Sequence, residues 1–303
     1  MSSTSQSQQL AKPAVQPLAA AAVPPRNHAS IWQRFRKHRL AMIGMIILGV
    51  LIILAIGAPI FAPDDPNQTN IRFYRKGPSA AHILGNDSSG RDVWSRLLRA
   101  GRISLSVGLV AVTIYTAIGL ALGALAGYYG GWVDSVIMRF ADIVLAFPSL
   151  IIIITVVSVL GPSVWNVMLV IGLLGWPPIA RILRGQFLSL RERDFVLASR
   201  TIGTPNRRII TRHLLPNALA PIIVAATFGM ASAILLEAGL SFLGLGIEQP
   251  TASWGNLLAA APDYYLTQPW LMVWPGLFIL MTTFAFNLLG DGLRDAFDPR
   301  ARI

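Results

Sequence analysis

Histidine, cysteine, lysine and buried acids are where chemistry would have to begin, and this sequence offers few of them. Its four histidines, His28, His38, His82 and His213, are far apart in the chain and form no H-E-x-x-H pair of metal ligands. There is no cysteine, which removes disulfides, thiolate metal sites and a cysteine nucleophile. The lysines are Lys12, Lys37 and Lys76, preceded by Ala11, Arg36 and Arg75. A phosphate-cradling P-loop needs glycine before its lysine, so the chain has no ATP site of that kind. Two acids stand within long apolar runs, Asp142 and Glu237. Asp142 falls in the first two turns of its run. Glu237 follows Pro216 by 21 residues, roughly 31 Å along a helix, so the two acids sit near opposite ends and make no carboxylate pair. Each is either a polar group at headgroup level, a group satisfied by a neighbouring helix, or a residue lining a substrate path.

The densest polar segment, 181–217, holds Arg181, Arg184, Arg191, Arg193, Arg200, Arg207, Arg208 and Arg212 against Glu192 and Asp194. Residues 193–202 read as an apolar-edged helix that stops at Gly203, a natural left-handed position. Pro205 can open a second short helix, and Pro216 introduces the next apolar run. A helix–turn–helix with small residues uppermost is a docking surface; a solvated basic loop is the plainer alternative.

The elements that carry this loop follow from composition. The 303 residues are 54% hydrophobic and 13% charged, with a net charge of +11 and a mean hydropathy of +0.58. Soluble domains carry about 25% charged residues, so lipid is the expected solvent. Residues 1–33 are expected to form a disordered tail, since they lack the basic start and apolar core of a signal peptide. A first transmembrane helix is expected within 34–62: Leu40 to Phe61 is uncharged and 22 residues long, roughly 33 Å of helix. An external loop is expected over 63–101, ending in an amphipathic interfacial helix with Trp94, Leu97 and Leu98 on one side and Arg91, Arg96 and Arg99 between them. Five further spans are expected within 102–292, near 103–126, 135–160, 164–182 (interrupted at Gly175-Trp176-Pro177-Pro178), 218–240 and 271–289. A tail follows over 293–303. Gly119, Gly123 and Gly127 form a small-residue stripe that lets a neighbouring helix approach. Trp254, Trp270, Tyr264 and Tyr265 are expected as interfacial aromatics of the loop 245–270.

Six spans place both termini on one side. Seven of the 25 Lys and Arg lie between Arg72 and Arg102; the other 18 fall on the side of the termini and of the loop 183–217, which makes that side cytoplasmic. The net basicity is thereby a topology signal, and no basic patch interleaves with base-stacking aromatics as nucleic-acid binding requires.

The charged loop resembles the conserved loop of inner-membrane permeases of ABC importers, whose pattern is E-A-A, three residues, Gly, nine residues, Ile-x-Leu-Pro. Leu197-Ala198-Ser199 stands for E-A-A, Gly203 for the glycine and Leu215-Pro216 for the ending, with His213 where Ile is usual. Leu84-Gly85-Asn86-Asp87, Gly90-Arg91-Asp92-Val93, Arg102-Ile103-Ser104-Leu105, Glu237-Ala238-Gly239-Leu240-Ser241-Phe242 and Asp291-Gly292-Leu293-Arg294-Asp295 are similar to the dipeptide/oligopeptide/nickel branch, in its "C"-type subunit. The resemblance covers about residues 35–300. It implies an all-α polytopic membrane protein with six transmembrane helices in the type I ABC importer permease (MetI-like) fold. It also implies a multi-pass protein of the prokaryotic inner membrane that passes dipeptides or oligopeptides by alternating access. Nickel or another small solute is the alternative cargo, and an ion-coupled secondary transporter is the more distant reading.

The partners implied are a homologous "B"-type permease, two ABC ATPase subunits and an extracytoplasmic substrate-binding protein. The chain itself is then non-catalytic and holds no cofactor, with ATP and Mg in the ATPases. The resemblance makes Ala198, Ser199, Arg200, Gly203, Thr204, Arg207, Pro216 and Asn217 the ATPase-coupling residues. Ala198, Ser199 and Gly203 admit a close surface. Arg200, Arg207 and Arg208 either meet the partner or anchor to headgroups. Pro216 and Asn217 shape the turn that carries helix tilt into the fifth span.

Overall fold

Ser30 starts the first helix: its hydroxyl accepts the Gln33 N–H while Gln33 reaches back to the Ser30 N–H, a reciprocal cap. The structure, a computed structural model, describes residues 30–62 and 64–298; residues 1–29 of the expected N-terminal tail and 299–303 of the C-terminal one lie outside them. In chain order the helices are α1 (Ile31–Lys37), α2 (Arg39–Ile56), α3 (Ala58–Phe61), α4 (Val93–Tyr129), α5 (Gly131–Ala146), α6 (Ser149–Leu160), α7 (Val164–Leu174) and α8 (Trp176–Leu190). They continue with α9 (Asp194–Thr201), α10 (Asn206–Arg208), α11 (Leu215–Phe242), α12 (Trp254–Ala259) and α13 (Trp270–Phe297). The expected tails are therefore shorter at both described ends: 31–33 already belong to α1, and 293–297 to the last turn of α13.

Among the described residues, five unbroken stretches are long and apolar enough to cross a membrane, and α5 with α6, bent by 82°, makes the sixth. The bend sits at Phe147-Pro148, because proline forces the residue before it into extended backbone, here ψ 142°. The break expected at Gly175 is a single residue: Pro177 and Pro178 occupy the first turn of α8, where their missing N–H groups cost nothing, and the span runs on to Leu190.

Close approaches set the directions of the helices. A Cβ on Gly119 would stand 2.6 Å from Ile179 Cβ, one on Gly123 2.6 Å from Ala180 O, and one on Gly127 2.6 Å from Phe187 Cβ. The contacts rise together along both helices, so α4 and α8 run parallel in tight register. The bent α5–α6 pair must then return the chain between them. Serine at 104 meets Glu237, while Tyr128 meets Asn206, so α11 runs antiparallel to α4. Gly101 faces Ala55 and Gly44 faces Ala285, so α2 is antiparallel to both α4 and α13. The start of α2, the end of α13 and α9 consequently share one face of the bundle, here the loop face.

The opposite, far face differs most from expectation. Residues 90–99 form no separate interfacial helix. They lead into and begin the 37-residue α4, with Leu97 and Ala100 wholly buried and Arg91 and Arg96 turned into the protein. Amphipathic spacing marks an apolar side, but it does not say whether lipid or protein covers it. Here Trp254 covers it. That residue is buried, donating its indole N–H to Leu97 O, and is not the interfacial aromatic expected of it. The segment before α4 is pinned to the helix start by Asp92. One Asp92 carboxylate oxygen caps Ser95 N–H at 2.7 Å, and the other lies 3.1 Å from His82 Nδ1.

Glu237 is fully buried and anchors this end. The Ser104 hydroxyl donates to it at 3.0 Å and the Ser241 hydroxyl at 2.8 Å. Each serine oxygen also accepts a backbone N–H, from Trp254 and Ile247 respectively. The acid thus joins α4, α11 and the loop before α12 through neighbouring groups, the second of the three readings open from sequence. Replacing Glu237 by leucine strands two hydroxyl donors in a buried site, about 1–3 kcal/mol each. Thermal unfolding is expected to show a Glu237→Leu variant several degrees less stable, with Glu237→Gln between it and the parent. Equal stability of all three would remove the anchoring role.

Candidate functional site

On the loop face, α9 stands clear of the bundle. Only Val196 and Ser199 of its eight residues are buried. Asp194 in its first turn and Arg200 in its last both suit the helix dipole. Val196, wholly buried, roots the helix in the main core with Ile209 and Leu214. Gly203 follows at φ +75°, a conformation L side chains adopt only with strain, and an added Cβ there would meet nothing within 4 Å. The turn is closed by Gly203 N–H to Arg200 O and Thr204 N–H to Ser199 O.

The sequence-selected residues divide. Ala198, Arg200, Gly203, Arg207, Pro216 and Asn217 are exposed, and Thr204 is half-buried. Ser199 turns inward, donating its hydroxyl to Phe195 O, and so is absent from the outer surface. The Arg200 guanidinium lies 5.3 Å over the Tyr128 ring, and the Tyr128 hydroxyl donates to Asn206 Oδ1 at 2.6 Å. This ties both ends of the loop to the last turn of α4. Missing from the sequence selection are Phe195 and Ile202, which with Leu197 expose apolar side chains; Ile202 is 81% exposed. Their signal was available as apolar residues isolated among arginines.

The expected turn at Pro216 is not there. The chain runs helically from Asn206 to Phe242 as a single span. The helix avoids the clash of a mid-helix proline by widening into a π-helical turn over Ile209–Leu214. Asn217 Nδ2 donates to His213 O at 2.6 Å across that turn. Residues 183–190 of the expected loop likewise belong to α8. A second brace crosses this face, where Arg184 grips both carboxylate oxygens of Asp134, and Arg181 pairs with Asp142 at 2.6 Å.

Within the bundle, α4, α6, α7, α8 and α11 line a half-open cavity of about 350 Å³ beside the α5–α6 bend. Its walls are mostly apolar, with Ser149, Ser232 and Tyr115 supplying polar groups and Ile153, Ile171 and Phe228 among the rest. Gly229 leaves the space that the Tyr115 hydroxyl fills.

A bundle of membrane-spanning helices with a half-open cavity and an exposed helix rooted in its core suits a transport permease subunit, and comparison with known proteins shows that class. The chain belongs to the family described as binding-protein-dependent transport system inner membrane component, which matches residues 119–303. Residues 29–78 match the N-terminal TM domain of oligopeptide transport permease C. The dipeptide transport system permease protein DppC of Alkalihalophilus pseudofirmus is 43% identical over 271 residues, 89% of each chain. The oligopeptide transport system permease protein OppC of Bacillus subtilis is 40% identical over 281 residues, 91% of this chain and 92% of that one. Among solved structures, the inward-facing MetNI methionine ABC transporter has the same fold. The TM-score is 0.53 at 19% identity, covering 68% of this chain and 98% of that one. The protein is a "C"-type ABC importer permease with the MetI-like fold and several membrane spans.

Proposed function

We propose that this chain forms half of the translocation pathway for dipeptides and oligopeptides in a prokaryotic inner membrane, with both termini cytoplasmic. A "B"-type permease supplies the other half, an extracytoplasmic binding protein delivers substrate, and two ATPase subunits holding ATP and Mg dock on the loop face. The observation that carries the reading is α9: an exposed helix whose loop leads into a helical segment running unbroken through the membrane span. A force on Phe195, Ala198 or Ile202 moves α9. The stack of Arg200 on Tyr128 and the Tyr128–Asn206 bond pass that motion to α4 and α11, whose side chains line the cavity. The apolar cavity walls, with few polar groups, suit peptides of varied sequence, and the names of the relatives support peptide over metal cargo.

The test is uptake into proteoliposomes holding the complete transporter, with labelled dipeptide and nickel as probes. Peptide accumulation that requires both ATP and the binding protein is expected. Accumulation of nickel alone would overturn the cargo, and uptake driven by an ion gradient without ATP would overturn the mechanism.

A further inference from the structure

Beneath the far face lies a largely enclosed cavity of about 30 Å³, where the start of α4 meets α12, α13 and the loop before α12. Asp87, Ser88, Arg91, Arg96 and Gln249 supply its polar lining, with Leu271 and Pro275 on the α13 side. The Arg96 side chain is 1% exposed, and its Nε and Nη1 have no hydrogen-bond partner. Its nearest carboxylate oxygen is Asp87 Oδ2, 3.4 Å from Nη1. That oxygen is already taken by Arg91 Nε at 2.8 Å, and the other Asp87 oxygen accepts the backbone N–H groups of Ser89 and Arg91. The remaining contact of Arg91 is from Nη2 to Gln249 Oε1, a neutral acceptor, at 3.1 Å. The other acid nearby, Asp92, is committed to His82 and to the N-terminus of α4.

Two guanidinium groups therefore share one carboxylate, with Arg96 buried, Arg91 and Asp87 10% and 14% exposed, and Gln249 closing the side toward solvent. A guanidinium does not give up its proton, so the surplus positive charge cannot be removed by titration. An unpaired buried charge is strongly destabilising. A water molecule would satisfy Arg96 N–H donors but leave the charge uncompensated; an anion answers both needs. The cavity is small, about 30 Å³, which favours a monatomic anion over the bulkier phosphate or sulfate.

We propose that this cavity is a halide site, occupied by chloride, in which Arg96 and Arg91 bind an ion that ties the segment before α4 to the loop carrying Gln249. The test uses the transporter purified with its accompanying subunits, with chloride replaced by bromide or gluconate at constant ionic strength. Chloride is expected to raise the unfolding temperature of this chain by roughly 2–4 °C, saturably. Bromide should substitute, gluconate should not, and crystals grown in bromide should show an anomalous peak beside Arg96 Nε. In Arg91→Gln the surplus charge is gone, and the increment between chloride and gluconate should vanish. The halide series on the unaltered protein decides the matter if that variant does not fold. Equal unfolding temperatures in chloride and gluconate, or ordered water with no bromide signal, would overturn the proposal.

Discussion

Replacing Gly203 by glutamate is expected to abolish uptake while leaving the protein in the membrane. The position is exposed, so the new side chain has room within this chain and no core contact is lost. The backbone strain of an L-residue at φ +75° costs on the order of 1–2 kcal/mol, confined to a loop outside the spans. What changes is the surface offered by α9 and its turn: bulk and negative charge beside Ile202 and Arg200. Uptake should fall at least tenfold, which is a loss of about 1.4 kcal/mol or more in coupling, and ATP hydrolysis should no longer depend on substrate delivery. Gly203→Ala carries the same strain with the least added volume and should retain most of the uptake. If alanine is as damaging as glutamate, the position acts through its backbone conformation and the docking assignment fails. Normal uptake in the glutamate variant would equally sink it.

A second large effect is expected from Gly123→Leu, this time on folding. The first added carbon would lie 2.6 Å from Ala180 O and 2.9 Å from Ala180 Cα, both backbone atoms that cannot rotate aside. The helices must separate, and Gly119 and Gly127 lose their contacts with Ile179 and Phe187 as they do. In lipid no hydrophobic force draws the two helices together again, because close packing is itself the attraction. The cost belongs at the upper end of the overpacking range, about 3 kcal/mol or more. The assay is the yield and thermal stability of the purified protein. The paired control is Gly185→Leu on α8, where an added Cβ meets nothing within 4 Å. That change should be neutral or slightly stabilising, since leucine favours helix over glycine by under about 1 kcal/mol. Equal losses at both positions would show that the stripe is not what holds α4 to α8.

These two glycines also show how differently sequence speaks of packing and of exposure. The spacing of Gly119, Gly123 and Gly127 announced a close helix contact without naming the partner, and α8 proved to be that partner. Gly203 announced a helix stop, and it is one. Ser199 looked equivalent to Ala198 because both are small, yet one turn angle on α9 buries the serine and exposes the alanine. Arg91 and Arg96 misled in the same way. Arginines between apolar residues fit a headgroup-seeking helix, and only the fold reveals that Trp254 and the loop before α12 cover them.

The low charge content and the apolar runs were enough by themselves to determine a polytopic helical membrane protein whose charged loop lies between the fourth and fifth spans, and the ordered motifs added the permease class by resemblance. Those properties are local or additive: burial in lipid follows from composition, and helix ends follow from glycine and proline. The tertiary structure alone decided the bend at Phe147-Pro148, the unbroken passage of α10 into α11 through a π-helical turn, and the buried linkage of Glu237 with Ser104 and Ser241. Proline marks both 148 and 216 as places where a helix can break, but that one becomes an 82° bend and the other a continuous passage, and that Glu237 finds its partners, depends on which surface each helix meets. When nearly every face is apolar, hydrophobic spacing cannot distinguish lipid from a neighbouring helix, so the choice rests on shape and on pairing of the few polar groups.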